Sequence, residues 1–173
     1  MRWVPCAAAV GLLAVASAPT ALAEEKPAVE FLDHAQILSN SDEDAIKSQA
    51  QSMHLPDSVH EVLYATYPNS GEEFSRTLFH DLEREHPHFI SGSELQKNVL
   101  VIAVGFEPNS MAVHCGTEVC QDIKIYDEGR MDGILDQMRS ALADDDYTIG
   151  MILATRAAAD TTVRRQYTQD MPT

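Results

Sequence analysis

Apolar residues recur along this chain at two spacings, one helical and one extended, and their order predicts its architecture. In "SNSDEDAIKSQAQSM", Ile46, Ala50 and Met53 fall on one helical face behind a serine-rich, acidic start suited to an N-cap. Asp44 stands three residues after Ser41, as in a capping box, and Leu55–Pro56 ends the helix. "VHEVLYATY" (59–67) is β-branched and aromatic and reads as a strand bounded by "PNSG". Phe74, Leu78 and Leu82 share a helical face in the next segment, which stops at Pro87. "NVLVIAV" (98–104) is apolar throughout, as in a central strand covered on both faces. After the turn "GFEPNS", "MAVHC" reads as a short antiparallel partner. Met131, Ile134, Leu135, Met138 and Leu142 form a second amphipathic stripe. "DDDYTIGMILATRAAADTTVRR" supplies a last helix, with acids at its start and arginines at its end, both favourable to its dipole.

The implied order is helix, strand, helix, strand, strand, helix, helix. Its strand–helix–strand unit implies a right-handed parallel crossover. The expected fold class is α/β: a small three-layer sandwich whose mixed sheet of roughly three to four strands is covered by helices on both faces. The chain carries no internal repeat and no low-complexity block.

The ends and the charge set the setting. Arg2 precedes a run without charge from Trp3 to Ala23, with small residues at Ala21 and Ala23 and acids at Glu24 and Glu25. Residues 1–23 match a secretory signal peptide cleaved after Ala23; an uncleaved membrane anchor is the alternative. Residues 24–30 read as a leader, 31–165 as one domain, and 166–173 as a frayed tail. The chain has 27 acidic against 12 basic residues, a net charge of −15. Nucleic acid and anionic lipid need a basic footprint, so both are excluded as expected partners. A solvated exported protein, or one that meets a cation or a basic protein surface, suits this balance.

Candidate chemistry is sparse. Neither a glycine-rich phosphate loop nor a GxSxG elbow is present. His80, His86 and His88 lack the four-residue spacing of a zinc pair and read as a solvated helix end. Acids sit at element ends: Asp33 before the first helix, Glu107 in the turn between two strands, Glu118 between two cysteines, and Asp144–Asp146 before the last helix. Strand-end loops gather ligands in α/β sheets, and oxygen donors suit Ca2+ or Mg2+. Helix caps and solvated acids account for the same positions, and the tight pattern of a calcium loop is missing. Cys115 and Cys120, in "HCGTEVCQD", fit a disulfide in an exported chain. A redox pair would take CxxC and zinc four ligands, so both alternatives are short of residues.

Three segments together resemble the TPM domain family, exported or membrane-tethered α/β domains. "FLDHAQILSNSDEDAIKSQA" is similar to the family's opening, an Asp, Ile/Val-Leu-Ser and an acid-rich helix. "NVLVIAVGFEPNSMAVHCG" is similar to its central strand, turn, second strand and glycine. "DDDYTIGMILA" is similar to the Asp-Tyr-x-x-Gly start of its final helix. "LPDSVHEVLYATYPNS" looks closest to the actinobacterial branch. The resemblance implies a protein-binding regulator of the cell envelope, with NlpC/P60-type peptidoglycan hydrolases of cell separation as partners. For other members it implies acid phosphatase activity, calcium binding or photosystem repair. On the family's metal pattern Asp33 and Glu107 are the matching acids. Gly116 matches the loop glycine and, with Thr117, borders the expected binding edge. The chain departs from the pattern in having Lys97-Asn98 where Asn-Gly is usual, and Glu107-Pro108 where the turn carries Asp-Arg. The resulting expectation is an extracytoplasmic interaction module, with a metal-dependent phosphatase or a passive scaffold as alternatives.

Overall fold

A computed structural model describes residues 26–68, 73–106 and 110–164. The signal-like segment 1–23, the tail 166–173 and Glu107 lie outside the described residues. The elements are β1 (Ala28–Asp33), α1 (Asn40–Ser52), β2 (Glu61–Tyr67), α2 (Phe74–Glu85), a 3-10 turn (Pro87–Phe89), β3 (Ile90–Ser91), β4 (Glu94–Leu95), β5 (Val99–Gly105), β6 (Ser110–Cys115), α3 (Thr117–Asp122), α4 (Arg130–Leu142) and α5 (Tyr147–Ala159). The main sheet runs β1-β2-β5-β6, with β1, β2 and β5 parallel and β6 antiparallel to β5. A separate hairpin pairs β3 with β4.

Alternation along β2 and β5 divides the core. Val62, Tyr64, Leu100, Ile102 and Val104 face α1, α4 and α5. Leu63, Ala65, Val101 and Ala103 face Phe74, Leu78 and Leu82 of α2. Both strands are buried on both faces, which explains why "NVLVIAV" has no polar alternation. The expected three-layer α/β sandwich with a mixed sheet is therefore present.

Three local features differ from the sequence reading. First, β1 begins inside the stretch read as a leader. Among the described residues it is an edge strand paired on one side only, with Val29 and Phe31 on one face and Glu30 beside Leu32 on the other. Second, the capping box of α1 uses Ser39 and Asp42, two residues earlier than Ser41 and Asp44. Third, the crossovers β1–α1–β2 and β2–α2–β5 step the same way across the sheet, yet α1 and α2 lie on opposite faces. They consequently have opposite hands, and one of them departs from the right-handed rule. Among the described residues no helix is long and apolar enough to cross a membrane.

Candidate functional site

The residues singled out in the sequence fall at two ends of the sheet. At the amino end of β5, Cys115 closes β6 and forms a disulfide with Cys120. The segment between them was expected to be a loop and is instead helical: α3 starts immediately after Gly116. The Gly116 amide donates to the Val99 carbonyl at 2.9 Å, and the Glu118 and Val119 amides donate to the Lys97 carbonyl at 3.1 and 3.2 Å. This docking brings two backbones so close that a Cβ at Gly116 would lie 1.8 Å from the Gln96 oxygen. A glycine is needed here for contact rather than for an unusual dihedral. The Glu118 carboxylate is taken up by Lys97 Nζ at 2.7 Å.

Beside this corner lies a groove of about 360 Å³ whose lining includes Phe79, Val113, His114, Cys115, Tyr126 and Met131. It runs along β6, the terminal strand of the sheet, one edge of which has no neighbouring strand among the described residues. Tyr126 is 81% exposed at the groove. The His114 ring meets Phe79 edge-on, with centroids 5.3 Å apart. Burial lowers the His114 pKa, and its Nε2 is buried without a hydrogen-bond partner among the described residues.

Asp33 occupies the opposite, carboxyl end of the parallel strands. Its Oδ2 accepts from the Leu38 amide at 3.0 Å and its Oδ1 from the Ile37 amide at 3.3 Å. The buried Thr66 hydroxyl also donates to Oδ1. The carboxylate thus holds the β1–α1 connection, in which Gln36 has a φ of 55°. Asp33 pairs in register with Thr66, and Thr66 with Val104, whereas the Gly116 corner sits on Val99. At about 3.3 Å per residue, Val104 and Val99 are separated by about 17 Å along β5. Oxygen ligands of one Ca2+ lie within about 5 Å of one another, from bond lengths of about 2.3–2.6 Å. Asp33 and Glu118 therefore do not fit a common ion. Asp146 has a local role as well: its Oδ1 accepts from the Ile149 amide at 3.0 Å and caps α5.

Sequence reasoning missed a third cluster, where the carboxyl half of α2 meets β1. His34 Nε2 lies 3.5 Å from Asp81 and 3.7 Å from Glu85, and its ring packs on Tyr67 with centroids 5.1 Å apart. Burial and then the Asp81 charge raise the Tyr67 pKa. Arg84 bonds both acids, Asp81 at 2.8 Å and Glu85 at 2.5 Å. Its signal in the chain is the density of His, Asp and Glu in "HDLEREHPH"; the partner His34 directly follows β1, whose strand character went unrecognised.

No protein-family model and no curated protein matches the sequence. Solved structures do share its fold. The N-terminal domain of a protein from P. gingivalis superposes with a TM-score of 0.53 at 17% identity, covering 80% of this chain and 83% of that one. The N-terminal domain of cg2496 protein from Corynebacterium glutamicum is also similar, with a TM-score of 0.49 at 13% identity, covering 88% and 90%. The first of these likenesses establishes a shared architecture and nothing about chemistry.

Proposed function

We propose that this chain is an exported TPM-like interaction module of the cell envelope that binds and regulates a peptidoglycan hydrolase of the NlpC/P60 type. The observation that carries the reading is the groove along the open edge of β6. It combines a strand edge unpaired among the described residues, apolar walls and the exposed Tyr126. Open edges and exposed aromatics are features by which folded domains take up protein partners. The disulfide beside the groove supports an oxidising compartment. The net charge of −15 favours a basic partner surface.

The test uses the oxidised protein with purified NlpC/P60 hydrolase and isolated sacculi. A change of at least twofold in the rate of sacculus clearance, abolished by Tyr126→Asp in a folded variant, supports the proposal. An unchanged rate, or a change that Tyr126→Asp leaves intact, refutes it. Deletion of the protein followed by microscopy is the cellular counterpart: normal septum cleavage favours a passive scaffold. Metal-dependent release of phosphate from a generic ester would instead favour the phosphatase reading.

A further inference from the structure

We propose that Glu30, His86 and His88 form a binding site for a divalent transition-metal ion of the zinc class. The three residues come from β1, the end of α2 and the 3-10 turn. His86 Nδ1 lies 2.9 Å from one Glu30 carboxylate oxygen, and His88 Nε2 lies 3.2 Å from the other. One ligand atom from each residue lies within 4.8 Å of the other two.

These separations suit a tetrahedral centre. Zinc–nitrogen and zinc–oxygen bonds of about 2.0–2.2 Å place neighbouring ligands about 3.3 Å apart in a tetrahedron. Each histidine nitrogen is within a few tenths of an ångström of that spacing, from a different Glu30 oxygen, so a site with one carboxylate ligand also needs a rotation of the Glu30 carboxylate. Two imidazoles and one carboxylate leave a fourth position for water or another ligand. Mixed nitrogen and oxygen donors favour zinc-class ions over Ca2+ or Mg2+, which take oxygen ligands.

The ligands are also held in place. The His86 amide donates to the Leu82 carbonyl at 2.9 Å and ends α2, and Pro87 sets the turn that follows. Both imidazoles pack on the buried ring of Phe89, with centroids 5.8 and 4.3 Å away. Glu30 is fixed by the pairing of β1 with β2. Ligands drawn from two segments need no four-residue spacing within either one. His80, the third histidine of the motif, is exposed and takes no part.

The neighbouring group His34, Asp81 and Glu85 is the internal comparison. It also brings three ligand atoms together, but Arg84 already neutralises its two acids. Among the described residues, the ion-pair partners of Glu30 are the two histidines themselves. The site that lacks an arginine partner is the one that gains most from a cation.

The experiment titrates metal-free protein with Zn2+ alone, in buffer containing excess Mg2+, and follows heat and retained metal after dialysis. Uptake of about one zinc per chain is expected. Glu30→Gln and His88→Ala should weaken it roughly 10- to 100-fold or more, since even indirect changes at metal sites have effects of that size. His80→Ala and His34→Ala should leave it unchanged. Co2+ in place of Zn2+ should give the visible absorption of a tetrahedral centre. Melting of each metal-free variant establishes that it is folded. Folded wild-type protein that retains no zinc overturns the proposal, as does zinc retained equally by folded Glu30→Gln and His88→Ala, or lost in His34→Ala.

Discussion

The Gly116→Ala substitution tests whether the contact between α3 and the strand β5 approach is as tight as described. The added Cβ would stand 1.8 Å from the Gln96 oxygen and 2.6 Å from the Gln96 and Lys97 carbonyl carbons. Close carbon–oxygen contacts in proteins lie at about 3.3 Å, so roughly 1.5 Å of backbone movement is required. The clashing atoms belong to the main chain, and rotamer changes cannot relieve them. The movement also strains three amide bonds, from Gly116 to Val99 and from Glu118 and Val119 to Lys97. Overpacking costs about 1–3 kcal/mol and each of the three weakened hydrogen bonds up to about 1 kcal/mol, so at least about 4 kcal/mol is expected if all three are lost. At about 2–4 °C per kcal/mol in a domain of this size, Tm should fall by roughly 10 °C. Gly150→Ala is the control. Its Cβ would meet the Leu142 Cδ2 at 3.1 Å, the mobile end of a side chain. Its helix gains about 1 kcal/mol in propensity, leaving a net change within about 1 kcal/mol. Urea unfolding of both oxidised variants gives the comparison. A Gly116→Ala cost below about 1 kcal/mol would refute the packing argument.

Three further outcomes are expected. Replacing both Cys115 and Cys120 with serine removes a short closed loop and should cost roughly 2 kcal/mol in urea unfolding; the native protein should weigh two hydrogens less than its reduced form. Arg130→Met should cost about 3 kcal/mol, because the fully buried guanidinium donates to the Ile123, Ala158 and Val163 carbonyls at 2.8, 2.9 and 3.1 Å; Arg130→Lys should recover less than half, since one ammonium cannot reach all three. His114 has a folded pKa lowered by burial from 6.5, so the unfolded chain takes up its proton first and stability falls as pH drops below about 6.5; His114→Phe should flatten that part of a Tm profile measured from pH 8 to 5.5, and an unchanged slope would contradict it.

What could be read from the sequence followed from burial. The both-faces burial of β5 and the amphipathic stripes of α2 and α4 have strong periodic signatures, so the layers were legible. The disulfide was legible because the expected export and the count of two cysteines after residue 23 pointed the same way. β1 was not, because an edge strand with a glutamate on one face imitates a polar leader. α3 was not, because its stability comes from the Lys97 carbonyl and the Gly116 contact, which are tertiary. Nor could the ligand grouping of Glu30 with His86 and His88 be found, since it depends on β1 lying beside the end of α2.

The distribution of acids carries a more general point about this fold. Asp33 draws attention because it stands at the carboxyl end of a parallel strand, where α/β sheets usually bind ligands. Its oxygens are already engaged by two amides and a hydroxyl, and that engagement shapes the β1–α1 connection. Glu118 and Asp146 are likewise engaged, by an ammonium and by a helix amide. Glu30 differs in kind, because its partners are two imidazoles that can each exchange a proton for a metal. An acid satisfied by amides is structural whatever its position, whereas one satisfied by histidines keeps a ligand role open. By this chemical criterion, the proposed metal site lies on the β1–α2 seam, where Glu30 meets His86 and His88, and the strand-end acids serve the fold.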